Sequence, residues 1–449
     1  MGFTDKYDVI SVTLDINDFC NMKCSYCWEQ QQKNRLDRNT AEIICDRLVS
    51  NFNRHKKSSA LRINFFGGEP LIDWLIIKFV INNLKDRIPT WFGITTNATL
   101  ITDEIIEEFK SCSMNVMVSL DGKKKRHDAS RKFIGGKPTY ERVVQSLRKI
   151  QEANLPYEVR MTVLPKHAKY LAEDITHLVE DLGIRQIAPV PVYDRKWSEK
   201  QLKDFENAIK DTYDLYVKYH FDYKDKVYIK YFEDFLYKDL DVNHKLSPCG
   251  FGSMLSISID TKGNIYPCHQ LPTRKDKEKF IIGNILTDET YENDLVKCIS
   301  PNSFKSKLCG ECPAKNKICS GGCLMESYEE NGDLLSPTEI TCRFNKLYYE
   351  VFKQIQSERR IPAPISPSER RDFLYSSIMR LLGNIRDAIR DNGDKEYDCK
   401  SMAILSEVMW TINEQIMNNK AIHLGTPDLM NEIHEVSNLI RSEVLKENA

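Results

Sequence analysis

Cys20, Cys24 and Cys27, in Cys-Asn-Met-Lys-Cys-Ser-Tyr-Cys, set three thiols a few residues apart. Thiolates suit zinc and iron–sulfur clusters. A cluster is normally held by four cysteines. Three thiolates can therefore hold three irons of a four-iron cluster and leave the fourth iron open to a small molecule. A zinc loop is the competing reading, but zinc loops pair C-x2-C units and need a fourth ligand. A second group reads Cys249-x13-Gly263-x4-Cys268, then Cys309-x2-Cys312-x6-Cys319-x3-Cys323, then Cys342. Cys45, Cys112, Cys298 and Cys399 look scattered, and Cys45 reads as a small buried hydrophobe in a helix.

The elements that must position these thiols follow from periodicity. Strand-like runs at Val9–Ile16, Leu61–Phe66, Phe92–Thr96, Asn115–Leu120, Tyr157–Val163 and Gln186–Val192 alternate with amphipathic helices. The helices are expected at Thr40–Phe52, Trp74–Arg87, Asp103–Ser111, Tyr140–Ala153 and Tyr170–Leu182. Six strands separated by helices imply an α/β fold with a parallel sheet, whose sites gather at the carboxyl ends of the strands. Gly67-Gly68-Glu69-Pro70, Thr96-Asn97 and Ser119-Leu120-Asp121-Gly122 all fall at such ends.

Residues 197–240 are rich in Tyr, Phe and Trp at helical spacing, and read as a pair of amphipathic helices bridging two domains. From 248 to 342 the chain is cysteine-rich and loop-like, with a hairpin over 256–268. It has little apolar core of its own and is expected to depend on metal for its fold. Ile361–Pro367 is a stiff linker, followed by three amphipathic helices without visible chemistry. The expected boundaries are 1–195, 196–247, 248–360 and 368–449.

Basic and acidic residues number 64 and 65, so global charge does not argue for nucleic acid or an anionic membrane. Apolar runs are too short to span a bilayer, and no secretory signal opens the chain. A cytoplasmic location is expected, where thiols stay reduced.

The C-x3-C-x2-C loop, with aromatic Tyr26 before its last cysteine, resembles the signature of radical S-adenosylmethionine (SAM) enzymes, and the resemblance covers roughly residues 8–195. It implies a partial (β/α)6 barrel in which a 4Fe-4S cluster on Cys20, Cys24 and Cys27 chelates SAM through its open iron. Reduction then yields methionine and a deoxyadenosyl radical. In that family the Gly67–Pro70 segment hydrogen-bonds the SAM amino group through its backbone. Two glycines permit such a close approach to a ligand. Ser119 and Asp121, with His127, Asp128 and Arg131 following, match a stretch of one branch of this superfamily. Ser119 is then expected to contact the SAM ribose or carboxylate and Arg131 to balance that carboxylate. The competing reading makes Asp121-Gly122 a turn and Arg131 part of a solvated basic run with residues 123–126. Asn97 and Arg160 are further candidates for contacts in the site.

The later cysteines resemble the SPASM domain, which carries two auxiliary 4Fe-4S clusters. The resemblance implies Cys309, Cys312, Cys319 and Cys342 as ligands of an outer cluster. Cys249, Cys268 and Cys323 are implied for an inner cluster whose fourth site is left to a substrate thiolate, water or Cys298. One spacing departs from the family, with six residues between Cys312 and Cys319 where five are common. Sulfatase-maturing relatives carry an aspartate base after the cysteine matching Cys268; here His269 stands there, as a base or, the favoured reading, as a hydrogen-bond donor to cluster sulfur. The resemblance points to a maturase of a ribosomally synthesised peptide, with a thioether crosslink as the expected product. Carbon–carbon crosslinking, epimerisation and formylglycine formation on a sulfatase are the alternatives. Expected partners are the precursor peptide, an electron donor such as flavodoxin or ferredoxin, and a separate leader-recognition protein, because the chain is read as starting at its first barrel strand.

Overall fold

The computed structural model describes residues 2–358, apart from 7–8, 30, 56–59, 220–226, 236–239, 241–248, 250, 253, 275, 294–295 and 297–308. The described residues belong to one compact unit. The proline linker, the three expected C-terminal helices, Cys298 and Cys399 lie outside them.

A short helix α1 (Phe3–Lys6) precedes β1 (Ser11–Asn17). This corrects the expectation that the chain opens on a barrel strand: the buried Phe3 receives its anchor from its own N–H, which donates to the Asp288 carbonyl at 2.8 Å. In β1, Val12, Leu14 and Ile16 enter the apolar core, while Thr13, Asp15 and Asn17 face the other side. The pattern repeats through α2 (Arg38–His55), β2 (Leu61–Gly67), α3 (Trp74–Leu84), β3 (Thr90–Thr96), α4 (Asp103–Ser111) and β4 (Asn115–Ser119). It continues through α5 (Lys124–Ser130), α6 (Tyr140–Glu152), β5 (Tyr157–Val163), α7 (Leu171–Thr176) and β6 (Gln186–Pro191). Strands β1 to β6 pair in sequence order, all parallel. Each lies within two residues of its expected bounds.

Further strands extend both edges. After α8 (Glu199–Val217), strand β7 (Tyr228–Ile229) pairs parallel to β6 and leads into α9 (Lys230–Phe235). On the other side, β8 (Ser256–Ile259) pairs parallel to β1 and antiparallel to β9 (Asn264–Tyr266). Strands β10 (Gly283–Asn284) and β11 (Glu289–Thr290) complete that edge. Because β1 pairs β8 rather than β6, the sheet is an open, partial barrel.

Three expectations change. The hairpin of the cysteine-rich segment is not a loop-like region apart but joins the barrel: Ile257, Ile259, Ile265 and Tyr266 are buried in the barrel's own core. The helix expected at 170–182 is a composite, with a 3-10 turn at Pro165–Tyr170, then α7, then a π turn at His177–Asp181. The aromatic stretch is one long helix plus a strand and a short helix. Its rings pack on α11 (Glu339–Ser357), with Trp197–Phe344 and Phe205–Phe344 at 5.0 and 5.6 Å. Those aromatics are core.

Close packing at the carboxyl end of β2 depends on absent side chains. Gly67 has φ +123°, and a Cβ there would lie 2.0 Å from the Asn17 carbonyl; at Gly68 it would lie 2.3 Å from the Phe19 carbonyl. The Gly67→Ala variant is expected to lose about 3 kcal/mol or more of stability, read as a lowered urea midpoint. Ile43→Ala, at an exposed position of α2, should leave the midpoint nearly unchanged.

Candidate active site

The loop after β1 carries Cys20, Cys24 and Cys27, and its backbone is tied to the end of α5. Lys23 N–H donates to the Lys132 carbonyl at 2.8 Å and Ser25 N–H to the Ser130 carbonyl at 2.9 Å. Cys20 Sγ accepts from Met22 N–H at 3.4 Å and from Asn97 Nδ2 at 3.6 Å. Asn97 Nδ2 also donates to Asn21 Oδ1 at 2.9 Å, which fixes the end of β3 to the loop. Burial pushes the Cys20 thiol up to about 12 and the Cys27 thiol to about 11, with Glu69 and Glu29 adding to the respective shifts. Metal binding at such thiols must displace protons.

Glu69 is buried, and its carboxylate is consumed by the fold. It accepts from Leu71 N–H (3.1 Å), Thr96 Oγ1 (2.7 Å) and Asn97 N–H (2.7 Å). Burial nevertheless raises its pKa to about 7. The Glu69 carbonyl accepts from Asn17 Nδ2 at 3.0 Å, while Pro70 opens a 3-10 turn. Gly67 and Gly68 make their close approach to the backbone of residues 17–19.

Asp121 joins the loop to the barrel. Its carboxylate accepts from Tyr26 Oη, from Arg131 Nε at 2.9 Å and from Thr162 N–H at 2.9 Å. The Arg131 guanidinium sits 5.2 Å from the centre of the Tyr26 ring and lowers the charge cost of a Cys24 thiolate. Arg131 is therefore buried and paired, rather than part of a solvated basic run. Arg126 is buried too, with its Nε 2.6 Å from Asp174, and only Lys124 and Lys125 of that run are exposed. Behind them His127 Nδ1 accepts from Asp121 N–H at 3.3 Å and Nε2 meets Thr139 Oγ1 at 3.0 Å. Sequence reasoning missed this support; the period of α5, which buries Arg126, His127 and Ser130 together, was its signal. Ser119, at the end of β4, lies beside Arg160 of β5 in register and is half-buried.

The later cysteines gather in two sets. Cys309, Cys312, Cys319 and Cys342 line one cavity with Lys315, Asn316 and Thr341. Cys249, Cys268 and Cys323 act on one another electrostatically as a separate trio. Gln270 N–H donates to Cys268 Sγ at 3.5 Å, and Cys323 is the N-cap residue of α10 (Leu324–Asn331). The chemistry of each donor set fits an iron–sulfur cluster: neutral backbone N–H groups around soft sulfur. Among the described residues, none is grouped as a single metal ion would require. His269 is open to solvent yet ringed by protein, with Phe66 at 5.5 Å, and its pKa is lowered by burial and by Arg160 and Arg274. Sequence reasoning also passed over Asp15 and Glu29, although a charged residue within the apolar run of β1 was a signal for the first.

Residues 14–181 match the Radical SAM superfamily model. The chain carries a radical SAM domain and is a radical SAM enzyme, a class that holds a 4Fe-4S cluster and SAM. It is 24% identical over 373 residues to the radical SAM cyclopropyl synthase TigE of Paramaledivibacter caminithermalis, covering 78% of this chain and 75% of that one. It is 27% identical over 357 residues to a cysteine-type anaerobic sulfatase-maturating enzyme of Clostridium novyi, covering 74% and 91%. An uncharacterised protein of Methanocaldococcus jannaschii is 28% identical over 179 residues, 39% of this chain, and the match spans 60% of that protein's length. The fold is that of anSMEcpe solved with AdoMet and a Cp18Cys peptide, with TM-score 0.63, 19% identity and coverage of 79% and 100%. No helix among the described residues is long and apolar enough to cross a membrane.

Two outcomes follow from the buried charges. Asp121→Asn leaves the Arg131 guanidinium buried without its counter-charge and is expected to cost about 3–5 kcal/mol, measured by urea unfolding of the anaerobic protein. Burial lowers His127 to about 4, below its ordinary value near 6.5. Its neutral form is the folded one, so this contribution is complete above pH 6.5 and is lost as pH falls from there toward 4. Between pH 7.5 and 5 the wild type should lose up to about 2 kcal/mol more stability than His127→Gln. Equal losses in the two proteins would refute this.

Proposed function

We propose that this chain is a maturase of a ribosomally synthesised peptide and that it installs a thioether between a peptide cysteine sulfur and a peptide carbon. The observation that carries this reading is the trio Cys249, Cys268 and Cys323, which has no fourth described cysteine beside it and stands next to His269. A three-thiol cluster has a corner left for a substrate thiolate, and bound thiols are deprotonated and held in place. Cys20, Cys24 and Cys27 would hold the SAM-binding cluster, and Cys309, Cys312, Cys319 and Cys342 an outer one. When bound, the first cluster and SAM supply one-electron cleavage and hydrogen abstraction, with electrons drawn from a flavodoxin or ferredoxin.

The chain's own residues do the rest. Asn97 and Met22 N–H hold Cys20, and Arg131 faces Cys24, so these two thiols are oriented before metal arrives. Ser119, at the end of β4, is paired in register with Arg160 in the middle of β5, and a hydroxyl and a guanidinium suit the carboxylate of SAM. His269 stands beside Cys268 near the inner trio and would donate to cluster sulfur or orient the peptide. A second reading, formylglycine formation on a sulfatase, draws support from the 91% of the Clostridium novyi enzyme covered by the match; His269 in place of an aspartate base speaks against it.

The test is the mass of a cysteine-bearing peptide encoded beside the gene after anaerobic coexpression, with and without alkylation. Loss of two hydrogens per crosslink, with a cysteine made resistant to alkylation, is the expected result. Loss of hydrogens with every thiol free would move the reading to a carbon–carbon crosslink. An unchanged peptide beside a modified sulfatase cysteine would replace it with the second reading. Reconstituted enzyme should bind about twelve irons, and the Cys309→Ala/Cys312→Ala variant about eight.

A further inference from the structure

Arg274 follows Cys268 by six residues, and two successive turns keep it close. Leu271 N–H donates to the Cys268 carbonyl at 3.2 Å, and Arg274 N–H to the Leu271 carbonyl at 3.0 Å. Its side chain is 8% exposed and meets three segments that each carry a thiol. Nη2 donates to Gln270 Oε1 at 2.7 Å, and the Gln270 N–H is the group that donates to Cys268 Sγ. Nη1 pairs with the Glu329 carboxylate on α10, the helix that Cys323 caps. The guanidinium carbon lies 5.2 Å from the centre of the Trp28 ring, and Trp28 directly follows Cys27. The remaining donor, Nε, is enclosed and has no partner.

A guanidinium is permanently charged and forks its donors in one plane, so it can brace two segments at once. Here it joins the Cys268 loop to α10, under the Trp28 ring. Burial makes its charge count for more than it would in water. Its ion-pair partner Glu329 is 46% exposed, and Glu326, Asp194 and the thiols of Cys323 and Cys268 also act on that charge. A buried donor without an acceptor is costly, and sulfur is the acceptor the inner trio would bring. Net charge and hydrogen bonds to sulfur set the potential of an iron–sulfur cluster. We propose that Arg274 is a positioning residue of the inner site: it braces the Cys268 loop against α10 and raises the reduction potential of the cluster held on Cys249, Cys268 and Cys323. This rests on the reading of that trio as cluster ligands.

The test is potentiometric EPR on the full chain carrying Cys20→Ala, Cys24→Ala and Cys27→Ala, which leaves the two later clusters. The outer signal is assigned by its loss in the Cys309→Ala/Cys312→Ala variant. Where the inner cluster is half reduced, adding Arg274→Gln should raise its oxidised-to-reduced ratio about tenfold, a fall of ~59 mV for one electron. The outer cluster should not move. Arg274→Lys, which keeps the charge and loses the fork, should shift the inner ratio in the same direction by less. An unmoved inner ratio overturns the role, and so do equal shifts at both clusters, which would report a general loosening. If only Arg274→Gln fails to take up the inner cluster, a lowered potential in Arg274→Lys supports the proposal and an unchanged one overturns it. Iron falling from about eight to about four in both variants would make the residue a support for assembly alone and overturn the effect on potential. About four irons in the parent itself, with no inner signal, would sink the cluster reading of the trio and this inference with it.

Discussion

The Asp121 carboxylate is the contact on which the site's geometry most depends. It sits just past β4 and is engaged by the cysteine loop through Tyr26, by the end of α5 through Arg131, and by β5 through the Thr162 N–H. Three separate stretches of chain thus converge on two oxygens. Burial makes each of these bonds count for more than it would in water, and an incomplete set would be expensive. The loop itself has no regular secondary structure, so its three thiols owe their placement to this tie and to the backbone bonds from Lys23 and Ser25.

The same logic explains why the cysteine-rich hairpin does not stand apart. A segment with few apolar residues cannot support itself, and β8 solves this by pairing with β1, the strand that feeds the first cysteine loop. Asp15 and Asn17 on β1 therefore share a strand neighbourhood with both thiol-bearing regions. Any movement of β1 is felt at Cys20 on one side and at the hairpin on the other.

Much of the frame was legible because its signals are local. Alternation in Val12–Ile16 and the helical period of Tyr140–Ile150 depend only on neighbouring residues and on one buried face. The thiols were legible because cysteine chemistry is narrow. What escaped were roles set by contacts distant in sequence. Gly67 and Gly68 carry a family pattern associated with a ligand, yet the atoms they make room for are the carbonyls of Asn17 and Phe19. The Glu69 carboxylate is spent on Thr96 and the backbone of residues 71 and 97, partners that no local pattern announces. Arg126 and Arg131 stand in a run that looks solvated, and only tertiary structure supplies Asp174 and Asp121 as their partners.

That distinction bears on how charge is arranged around the site. Glu69, Asp121 and Asp174 each carry a full set of donors, which is the ordinary condition of buried carboxylates. Asp15 and Glu29 do not, and the guanidinium of Arg160 likewise has charged neighbours but no hydrogen-bonded acid acting on it. These groups lie on β1, in the cysteine loop and on β5, and burial pushes the two carboxyls toward their neutral forms. A fold selected for stability alone would gain by pairing or removing them. Their persistence in and around the cysteine loop argues that the missing partners arrive with the molecules the enzyme binds.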